Sequence, residues 1–567
     1  MTEVPGDTIF EGQVGIVGAG PVGITLAIDL ALRGVQVILI EKSSEDAEPA
    51  GRCNHISARS LEMWRRLGVA SKVRKAGLPD DFPHDASYVT SMVGRELTRI
   101  KLPSRNDRFS KDDFADSGWP TPEPPHRCNQ IYFDPILRRR VREMPGVTIL
   151  YDTEITGVSD EGDHTLAHGI DLERGGKVTI KCDYLVGCDG GNSLVRKAMG
   201  TEFVGDGLIS QTRSVFIRSC ELREKANVDR AWMTWFVGNP TYGCLISLNG
   251  EDHWVFLLWL PEGVSDFEAL DPRKAIRNAF GKDFDFTIEK VDDWYGRRLV
   301  ADHFHKGRLL LCGDASHIWI PFAGYGMNAG VADAATLGWQ LAAVINGWGG
   351  PSMLDAYQAE RQPVTHQVSQ QAMSLALSNL NMEHAGKQVD VLNEDSKAGE
   401  KAREKIGREL YETNFGQFAC IGLNFGTYYE SSPIIAHEAQ PAPTYTLETY
   451  TPSTIPGCRT PHFWLESGES VYDRLGDGYT VLRFDPAVDV GDLVSAARDR
   501  GVPIEVLDVG NADVPPCYDT ALVISRPDQH VAWRGNTVPE RPAELIDLLR
   551  GAAAKPLAKK LEQAKGG

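Results

Sequence analysis

Apolar residues in the N-terminal segment switch between short continuous runs and a helical spacing, which predicts strand, helix and strand in turn. Val14 to Val17 form the first run and Val35 to Ile40 form the second, and most residues between them are apolar. Short runs bounded by glycine or proline are typical of buried strands. Gly34 is placed to end the helix. The pattern therefore predicts a β-α-β unit at the start of the chain.

The turn between the first strand and the helix contains the motif Gly-x-Gly-x-x-Gly, formed by Gly18, Gly20 and Gly23. These glycines permit a tight turn, close approach of a pyrophosphate, and close packing of helix on strand. Pro21 suits the first helical turn, whose free N–H groups attract phosphate. Glu41, at the end of the second strand, would accept hydrogen bonds from ribose hydroxyls and repel a 2′-phosphate. The unit is therefore expected to bind FAD or NAD rather than NADP.

Two later apolar runs also end in glycine and aspartate. Asp189 and Gly190 follow the run that begins at Tyr184, and Gly313 and Asp314 follow the run Leu-Leu-Leu-Cys. The second run leads through a glycine-rich loop into a helix. Strand ends and helix starts of this kind present carboxylates and free N–H groups to ligands. Three of them predict one large, extended cofactor.

The rest of the chain alternates strand patterns with polar segments. Residues 147–189 predict a meander of strands, and residues 208–300 predict a sheet whose Trp and Phe content indicates an aromatic face. A Pro-rich linker covers residues 440–455 and precedes a small α/β unit.

Composition narrows the class of protein. The chain has 567 residues, which favours two or three domains, and a net charge of −19, which disfavours nucleic acid and anionic membranes as partners. None of the ten cysteines has C-x-x-C spacing, so reduced thiols are expected rather than zinc or a disulfide framework. No segment reads as a signal peptide or a spanning helix, so we expect a cytoplasmic protein without a membrane partner.

Together these motifs resemble the three signatures of the FAD-dependent aromatic hydroxylases related to p-hydroxybenzoate hydroxylase. The likeness rests on Gly18, Gly20 and Gly23 with Glu41, on Cys-Asp189-Gly190-x-x-Ser193-x-x-Arg196, and on Gly313-Asp314-Ala-Ser-His with Gly-Met-Asn328. The last segment resembles the thioredoxin-like domain of the phenol hydroxylase branch. One departure is Pro321-Phe-Ala-Gly-Tyr-Gly, where Pro-Pro-x-Gly-Gly-Gln-Gly is commoner in the family.

The resemblance implies an α/β fold (α+β overall). It comprises a Rossmann-type FAD-binding domain, an interleaved β-sheet substrate domain and a C-terminal thioredoxin-like domain. The expected segments are FAD-binding at 1–80, a substrate-domain excursion at 81–125, FAD-binding at 126–205, the substrate sheet at 206–300, FAD-binding and helices at 301–410, a connector at 411–455 and the thioredoxin-like domain at 456–567.

The resemblance also implies bound FAD, with NAD(P)H and O₂ as co-substrates and no metal. NAD(P)H has no nucleotide fold of its own in this chain and would bind transiently. The expected FAD contacts are Gly18, Gly20, Pro21, Val22, Gly23, Glu41, Lys42, Arg52, Gln130, Asp189, Gly190, Gly313, Asp314, Pro321, Gly324, Gly326, Met327 and Asn328. Arg59 also resembles a family position that contacts FAD.

The implied function is hydroxylation of a phenolic or related aromatic substrate through a flavin C4a-hydroperoxide. Candidates for a group that activates the phenol are Asn54, His55, Tyr242 and Tyr295, with Trp235 as a further lining residue, whereas His317 is expected to be structural. An antibiotic- or polyketide-modifying oxygenase of the same fold is the nearest alternative. A non-catalytic flavin-binding interaction protein is an alternative of another class. The C-terminal domain is expected to make contacts, either with the catalytic part or in a homodimer.

Overall fold

The computed structural model describes residues 7–553, except 112, 261–263, 265, 321–323, 381–386 and 388. The strands are β1 (Thr8–Val17), β2 (Val37–Ile40), β3 (Ala86–Val89), β4 (Glu96–Ile100), β5 (Val147–Leu150), β6 (Thr153–Asp160), β7 (Thr165–Asp171), β8 (Lys177–Gly187), β9 (Phe203–Arg218), β10 (Met233–Phe236), β11 (Gly243–Ser247), β12 (His253–Trp259), β13 (Thr287–Ala301), β14 (His305–Lys306), β15 (Leu309–Leu311), β16 (His317–Ile318), β17 (Tyr479–Arg483), β18 (Ile504–Asp508), β19 (Leu522–Ser525) and β20 (Val531–Gly535). The helices are α1 (Pro21–Leu32), α2 (Ala58–Arg66), α3 (Ala70–Arg74), α4 (Gln130–Arg142), α5 (Leu194–Met199), α6 (Glu221–Lys225), α7 (Pro272–Phe280), α8 (Gly326–Ile345), α9 (Met353–Leu380), α10 (Lys397–Phe418), α11 (Ile421–Phe425), α12 (Gly491–Arg498) and α13 (Pro542–Leu549).

The first sheet has the strand order β14-β15-β8-β1-β2-β5, and the β6–β7 hairpin joins it through β8. β1, β2, β5, β8 and β15 are parallel. The four residues Val37–Ile40 of β2 are all buried, because helices cover both faces of a parallel sheet of this kind. This sheet, with α1 directly after β1, confirms the predicted Rossmann-type domain.

The second sheet has the order β16-β13-β9-β12-β11-β10-β3-β4, so residues 86–100 join strands that lie far along the chain. Alternation along β12 gives it two different faces. Trp254, Phe256 and Leu258 pack in one core with α7, whereas Val255 and Trp259 pack in another core with residues of α9 and α10. The expected aromatic face is the second of these.

The C-terminal unit has a four-stranded sheet in the order β18-β17-β19-β20, with α12 and α13 packed in the same core. β17 is parallel to β18 and antiparallel to β19. The predicted small α/β domain is therefore present. None of the helices within the described ranges is long and apolar enough to cross a membrane.

Buried ion pairs join this unit to the FAD-side half. Arg526 lies between Glu360 of α9 and Asp528, with contacts of 2.6 Å and 2.5 Å, and all three side chains are essentially inaccessible. Arg459 pairs with Glu62 of α2 at 2.5 Å, again fully buried. Removing one partner of a buried pair leaves an uncompensated charge, which is strongly destabilising. The C-terminal unit is thus docked by charges whose partners lie in the other half.

Replacement of Arg526 by Met is expected to lower the free energy of unfolding by about 3–5 kcal/mol, because it leaves Glu360 and Asp528 buried without a cation. Urea unfolding followed by fluorescence measures this change. The exposed pair of Arg541 and Glu544 supplies a control, since Arg541→Met should leave the unfolding midpoint almost unchanged. Equal effects of the two substitutions would contradict a docking role for Arg526.

The C-terminal unit is expected to lack thiol–disulfide exchange activity. Cys458 is buried and Cys517 is half-buried, and burial raises the pKa of each thiol to about 11. A thiol with such a pKa is almost entirely protonated at neutral pH and is a poor nucleophile. Reduction of a disulfide substrate by dithiothreitol should therefore proceed equally with and without the protein. Acceleration by the wild type that is lost in Cys458→Ser would contradict this.

Candidate functional site

The three predicted strand ends lie side by side at one edge of the first sheet. Cys188 N–H donates to the carbonyl of Val17 at 2.8 Å, and Cys312 N–H donates to the carbonyl of Gly187 at 3.0 Å. β8 is therefore the middle of the three, with β1 and β15 on its two sides. Ligands of open α/β sheets bind outside the carboxyl ends of the strands.

The first turn is shaped by glycines where no side chain fits. Gly18 has φ +105°, and a Cβ there would lie 2.4 Å from the carbonyl oxygen of Cys188. A Cβ on Gly23 would lie 2.0 Å from the carbonyl oxygen of Gly18. By contrast, the Cβ position of Gly20 is open space, and no side chain caps the start of α1. Free N–H groups facing open space suit a phosphate.

Glu41 organises the adjacent corner. Its Oε2 accepts from Ala19 N–H at 2.8 Å and its Oε1 accepts from Ser43 N–H at 2.9 Å. Each carboxylate oxygen has a second lone pair for a ligand hydroxyl. Lys42 beside it is exposed. Val22, also an expected contact, instead packs: its methyl groups fill the space beside Gly313 and Gly330.

Asp189 both starts a helix and keeps one oxygen free. Its Oδ2 accepts from Leu194 N–H at 2.7 Å, whereas Oδ1 is buried without a hydrogen-bond partner among the described residues. Gly190 has φ +76° and open space at its Cβ position. Ser193 caps α5, and Arg196 donates to the carbonyl of Gly191, so neither side chain is directed to a ligand by its own contacts.

The third strand end carries a carboxylate in a cleft. The Asp314 side chain is accessible to solvent, yet the surrounding protein raises its pKa, with His317 and Arg52 acting in the opposite direction. Arg52 is itself exposed, and its positive charge acts to lower the pKa of Asp314. His317 is fully buried and its Nε2 lies 2.6 Å from Asp333, which supports a structural role.

The start of α4 holds the segment that contains Asn54. Gln130 N–H donates to the carbonyl of Cys53 at 2.8 Å, and its residue is buried. Asn129 Nδ2 donates to Gly51 O at 3.2 Å and to Asn54 Oδ1 at 2.6 Å. The Asn54 amide oxygen is therefore already engaged in holding this segment.

Asn328 clamps the start of α8 to the segment before α2. Its Oδ1 accepts from Ser57 N–H at 2.8 Å and Ser60 Oγ at 2.7 Å, and its Nδ2 donates to the carbonyls of His55 at 3.0 Å and Gly324 at 2.6 Å. All four bonds go to protein, so the side-chain amide of Asn328 is fully engaged, and the FAD contact predicted for this residue stays a prediction for its backbone.

The neighbouring loop offers open backbone. The Cβ position of Gly326 meets nothing within 4 Å, whereas Met327 packs partly buried against the first core. Pro321 lies outside the described residues. Arg59 does not face this cleft: it pairs with Glu62 and donates to the carbonyl of Asp528 in the C-terminal unit.

His55 is buried between two parts of the site. Its Nδ1 lies 2.5 Å from Arg127 Nη1, and its ring centroid lies 6.2 Å from that of Tyr325. Arginine can only donate, so Nδ1 must accept and the imidazole proton is on Nε2. Burial, Arg127 and Arg108 hold the pKa of His55 well below its usual range. His55 stays a candidate for the group that activates the phenol, and its ring can act there as a neutral hydrogen-bond donor.

The two tyrosine candidates lie on opposite faces of the second sheet. Tyr242 lies 5.4 Å from Trp259, on the aromatic face that also carries Trp235. Tyr295 pairs with Gln211 on the opposite face, contacts Phe267 and is 48% exposed. The expectation that Tyr295 lines the cavity is therefore wrong, because strand alternation turns it away.

Arg127 was not predicted from the sequence. It lies three residues before Gln130, its guanidinium is 4.6 Å from the ring centroid of Trp232, and it contacts His55. No motif or spacing marks it, because its neighbours come from distant segments. Among the described residues, no group of three or more His, Cys, Asp or Glu side chains could hold a metal ion.

These features fit FAD. An open glycine turn, a free Asp189 oxygen, a ribose-suited Glu41 and an accessible Asp314 lie along one sheet edge, as an extended dinucleotide requires.

Comparisons with known proteins agree with this geometry. A putative polyketide hydroxylase of Streptomyces halstedii is 29% identical over 93% of this chain and 94% of its own length. Phenol 2-monooxygenase of a Pseudomonas species is 27% identical over 97% of this chain and 94% of its own. The structure of the rebeccamycin biosynthetic enzyme RebC with reduced flavin has a TM-score of 0.86 and 32% identity, and covers 96% of this chain and 100% of that one.

Two family descriptions match consecutive parts of the chain. "FAD binding domain" matches residues 11–372, and "Aromatic-ring hydroxylase, C-terminal" matches residues 453–556. The matched ranges contain all three strand ends and the docked C-terminal unit. The chain belongs to the FAD-binding aromatic-ring hydroxylase family of flavin monooxygenases.

Proposed function

We propose that the chain uses NADH or NADPH and O₂ to hydroxylate a phenolic or related aromatic compound. The observation that supports this most directly is the aromatic face of the second sheet. Trp235 stacks on Trp259 with centroids 5.3 Å apart, and Tyr88 stacks on Trp235 at 6.4 Å. Aromatic side chains favour planar aromatic partners through stacked and edge contacts.

Two substrate classes suit this face. The rings of Tyr88, Trp235 and Trp259 form one row across β3, β10 and β12, with centroid steps of 6.4 Å and 5.3 Å. Such a length exceeds a single phenol ring and favours a multi-ring substrate, in line with the polyketide hydroxylase among the relatives. A one-ring phenol would occupy only part of it, as the phenol 2-monooxygenase relative suggests. We therefore propose a polycyclic phenol as the preferred substrate and a simple phenol as the second candidate.

FAD, once reduced, supplies the activation of O₂. The chain supplies position and environment. Glu41 and Asp314 are suited to hold ribose hydroxyls, and the open turn at Gly20 is suited to hold phosphate. At the other end His55 and Arg127 are buried beside aromatic rings, and a hydrogen bond to a substrate in such an environment is stronger than in solvent.

FAD retention depends on the two carboxylates. Glu41→Ala and Asp314→Ala should each weaken FAD binding by about 1–3 kcal/mol, because a ribose hydroxyl loses its acceptor. Titration of apoprotein with FAD, followed by fluorescence quenching, measures the change. Glu45→Ala is a matched control in the same loop, since Glu45 is exposed and pairs with Arg142. Unchanged FAD affinity in both test variants would contradict the assigned roles.

Turnover should depend on an aromatic compound. We expect NAD(P)H oxidation by the FAD-loaded enzyme to be slow alone and faster with a hydroxylated aromatic, because a ligand that binds the reducible state more tightly increases its population. Mono- and polycyclic phenols should be compared by absorbance at the nicotinamide band, and product mass should increase by one oxygen atom. If no aromatic stimulates oxidation with either nicotinamide, the proposed reaction is wrong.

A further inference from the structure

Arg127 is a buried cation without a carboxylate beside it. The residue is 3% exposed, and no ion pair among the described residues includes it. Its Nη1 donates to His55 Nδ1 at 2.5 Å and its Nη2 to the carbonyl of Phe418 at 3.4 Å, while Nε has no partner. The neighbouring Arg108, in contrast, is paired with Asp116 at 2.8 Å. The Asp116 carboxylate acts on the charge of Arg127 and raises its pKa, but it is engaged by Arg108 and forms no ion pair with Arg127 among the described residues.

Such a charge is costly. Burial lowers the pKa of Arg127 to about 10, so the guanidinium remains protonated at neutral pH. The face of Trp232 offsets part of the cost by a cation–π contact at 4.6 Å. A buried charge is ordinarily paired, and removal from water without a partner costs several kcal/mol. An anion bound beside Arg127 would supply the missing partner.

His55 adds a second hydrogen-bond donor beside the guanidinium of Arg127. Its Nε2 carries the proton and has no hydrogen-bond partner within bonding distance among the described residues. The charged and titratable groups that act on the ring are Arg127, Arg108 and His126, and the carbonyl of His126 also lies near it. None of these side chains is acidic. The surroundings therefore favour an acceptor with negative charge over a further donor.

The pair lies where the two sheets meet. His55 contacts the loop before α8. A Cβ added to Gly324 would lie 3.0 Å from the Cβ of His55, and the ring centroids of His55 and Tyr325 are 6.2 Å apart. Arg127 contacts the second sheet through Trp232, just before β10. A ligand along the aromatic face would thus meet the pair at one end.

We propose that Arg127 and His55 bind an ionised oxygen of the aromatic substrate, a phenolate or a ring carboxylate. The inference rests on the proposed function for the identity of the ligand as an aromatic compound. Arg127 supplies charge, and His55 supplies a neutral N–H and holds the guanidinium through Nδ1. A phenol that binds here as the phenolate releases its proton to solvent water, and the negative charge increases the electron density of the ring that is to be oxidised.

The test measures ligand affinity in the oxidised, FAD-loaded enzyme without any reductant. Flavin difference spectra should be titrated with two matched pairs: 2-naphthol against 2-methoxynaphthalene, and 2-naphthoate against 2-naphthamide. The acidic member of at least one pair is expected to bind at least tenfold more tightly than its neutral partner. The pair that shows the preference distinguishes a phenolate site from a carboxylate site.

Substitutions of Arg127 test whether this residue causes the preference for the acidic ligand. Arg127→Met should reduce affinity for the acidic ligand at least tenfold and leave its neutral partner unchanged, and Arg127→Lys should retain part of the preference. Arg213→Met is the control: Arg213 is also buried and lies 5.3 Å from Phe267, but it pairs with Asp293 on the opposite face of the second sheet. It should leave both affinities unchanged.

Several outcomes would overturn the proposal. These are equal affinity for acidic and neutral members in the wild type, an equal loss of both in Arg127→Met, or no spectral response to any of the four ligands. If Arg127→Met does not retain FAD, the wild-type comparison and Arg127→Lys still decide. Because no turnover is measured, a failure of the proposed hydroxylation would leave this result intact, and the reverse also holds.

Discussion

The register of three parallel strands is the constraint on which the site depends. β1, β8 and β15 are hydrogen-bonded so that Val17, Gly187 and Leu311 end at one level. The chain must then turn at three adjacent points, which bring backbone N–H groups to the same edge together with the carboxylates of Asp189 after β8 and Asp314 after β15. A slip of one residue would turn buried side chains to the other face and remove this alignment. The cofactor cleft is therefore a consequence of sheet pairing rather than of any single motif.

The second half of the site depends on the buried amide of Asn328. Its four hydrogen bonds join the start of α8 to the backbone around His55 and to the hydroxyl of Ser60. Because the amide is 2% exposed, each bond avoids competition with water. This clamp sets the position of His55 relative to the cofactor-side loop. The position of His55 thus depends on a residue whose side chain is engaged entirely by protein.

Local patterns were enough to predict the cofactor half, because each strand end is encoded within about 15 consecutive residues. The substrate half depends on contacts between distant segments. Tyr295 was assigned to the cavity by residue type, but its face follows from pairing with Gln211, which the sequence alone does not show. The role of Arg127 becomes visible only from its contacts with His55 and Trp232 and from the lack of an ion pair to it among the described residues. Asn54 and Asn328 occur where polar side chains were expected, yet both are engaged by protein.

Buried charge is treated in two different ways in this molecule. Where the C-terminal unit docks, Arg526 and Arg459 lie 2.6 Å and 2.5 Å from carboxylate oxygens. The positive charges of these two arginines are therefore neutralised by carboxylates of the protein. Where the two sheets meet, Arg127 has only neutral partners, although acids such as Asp116 are close enough to influence it. Asp116 is engaged by Arg108, so it is not free to move. The other buried arginines of the described residues are each paired with a carboxylate. The lack of such a pair at Arg127 therefore favours the proposal that a negatively charged ligand binds there.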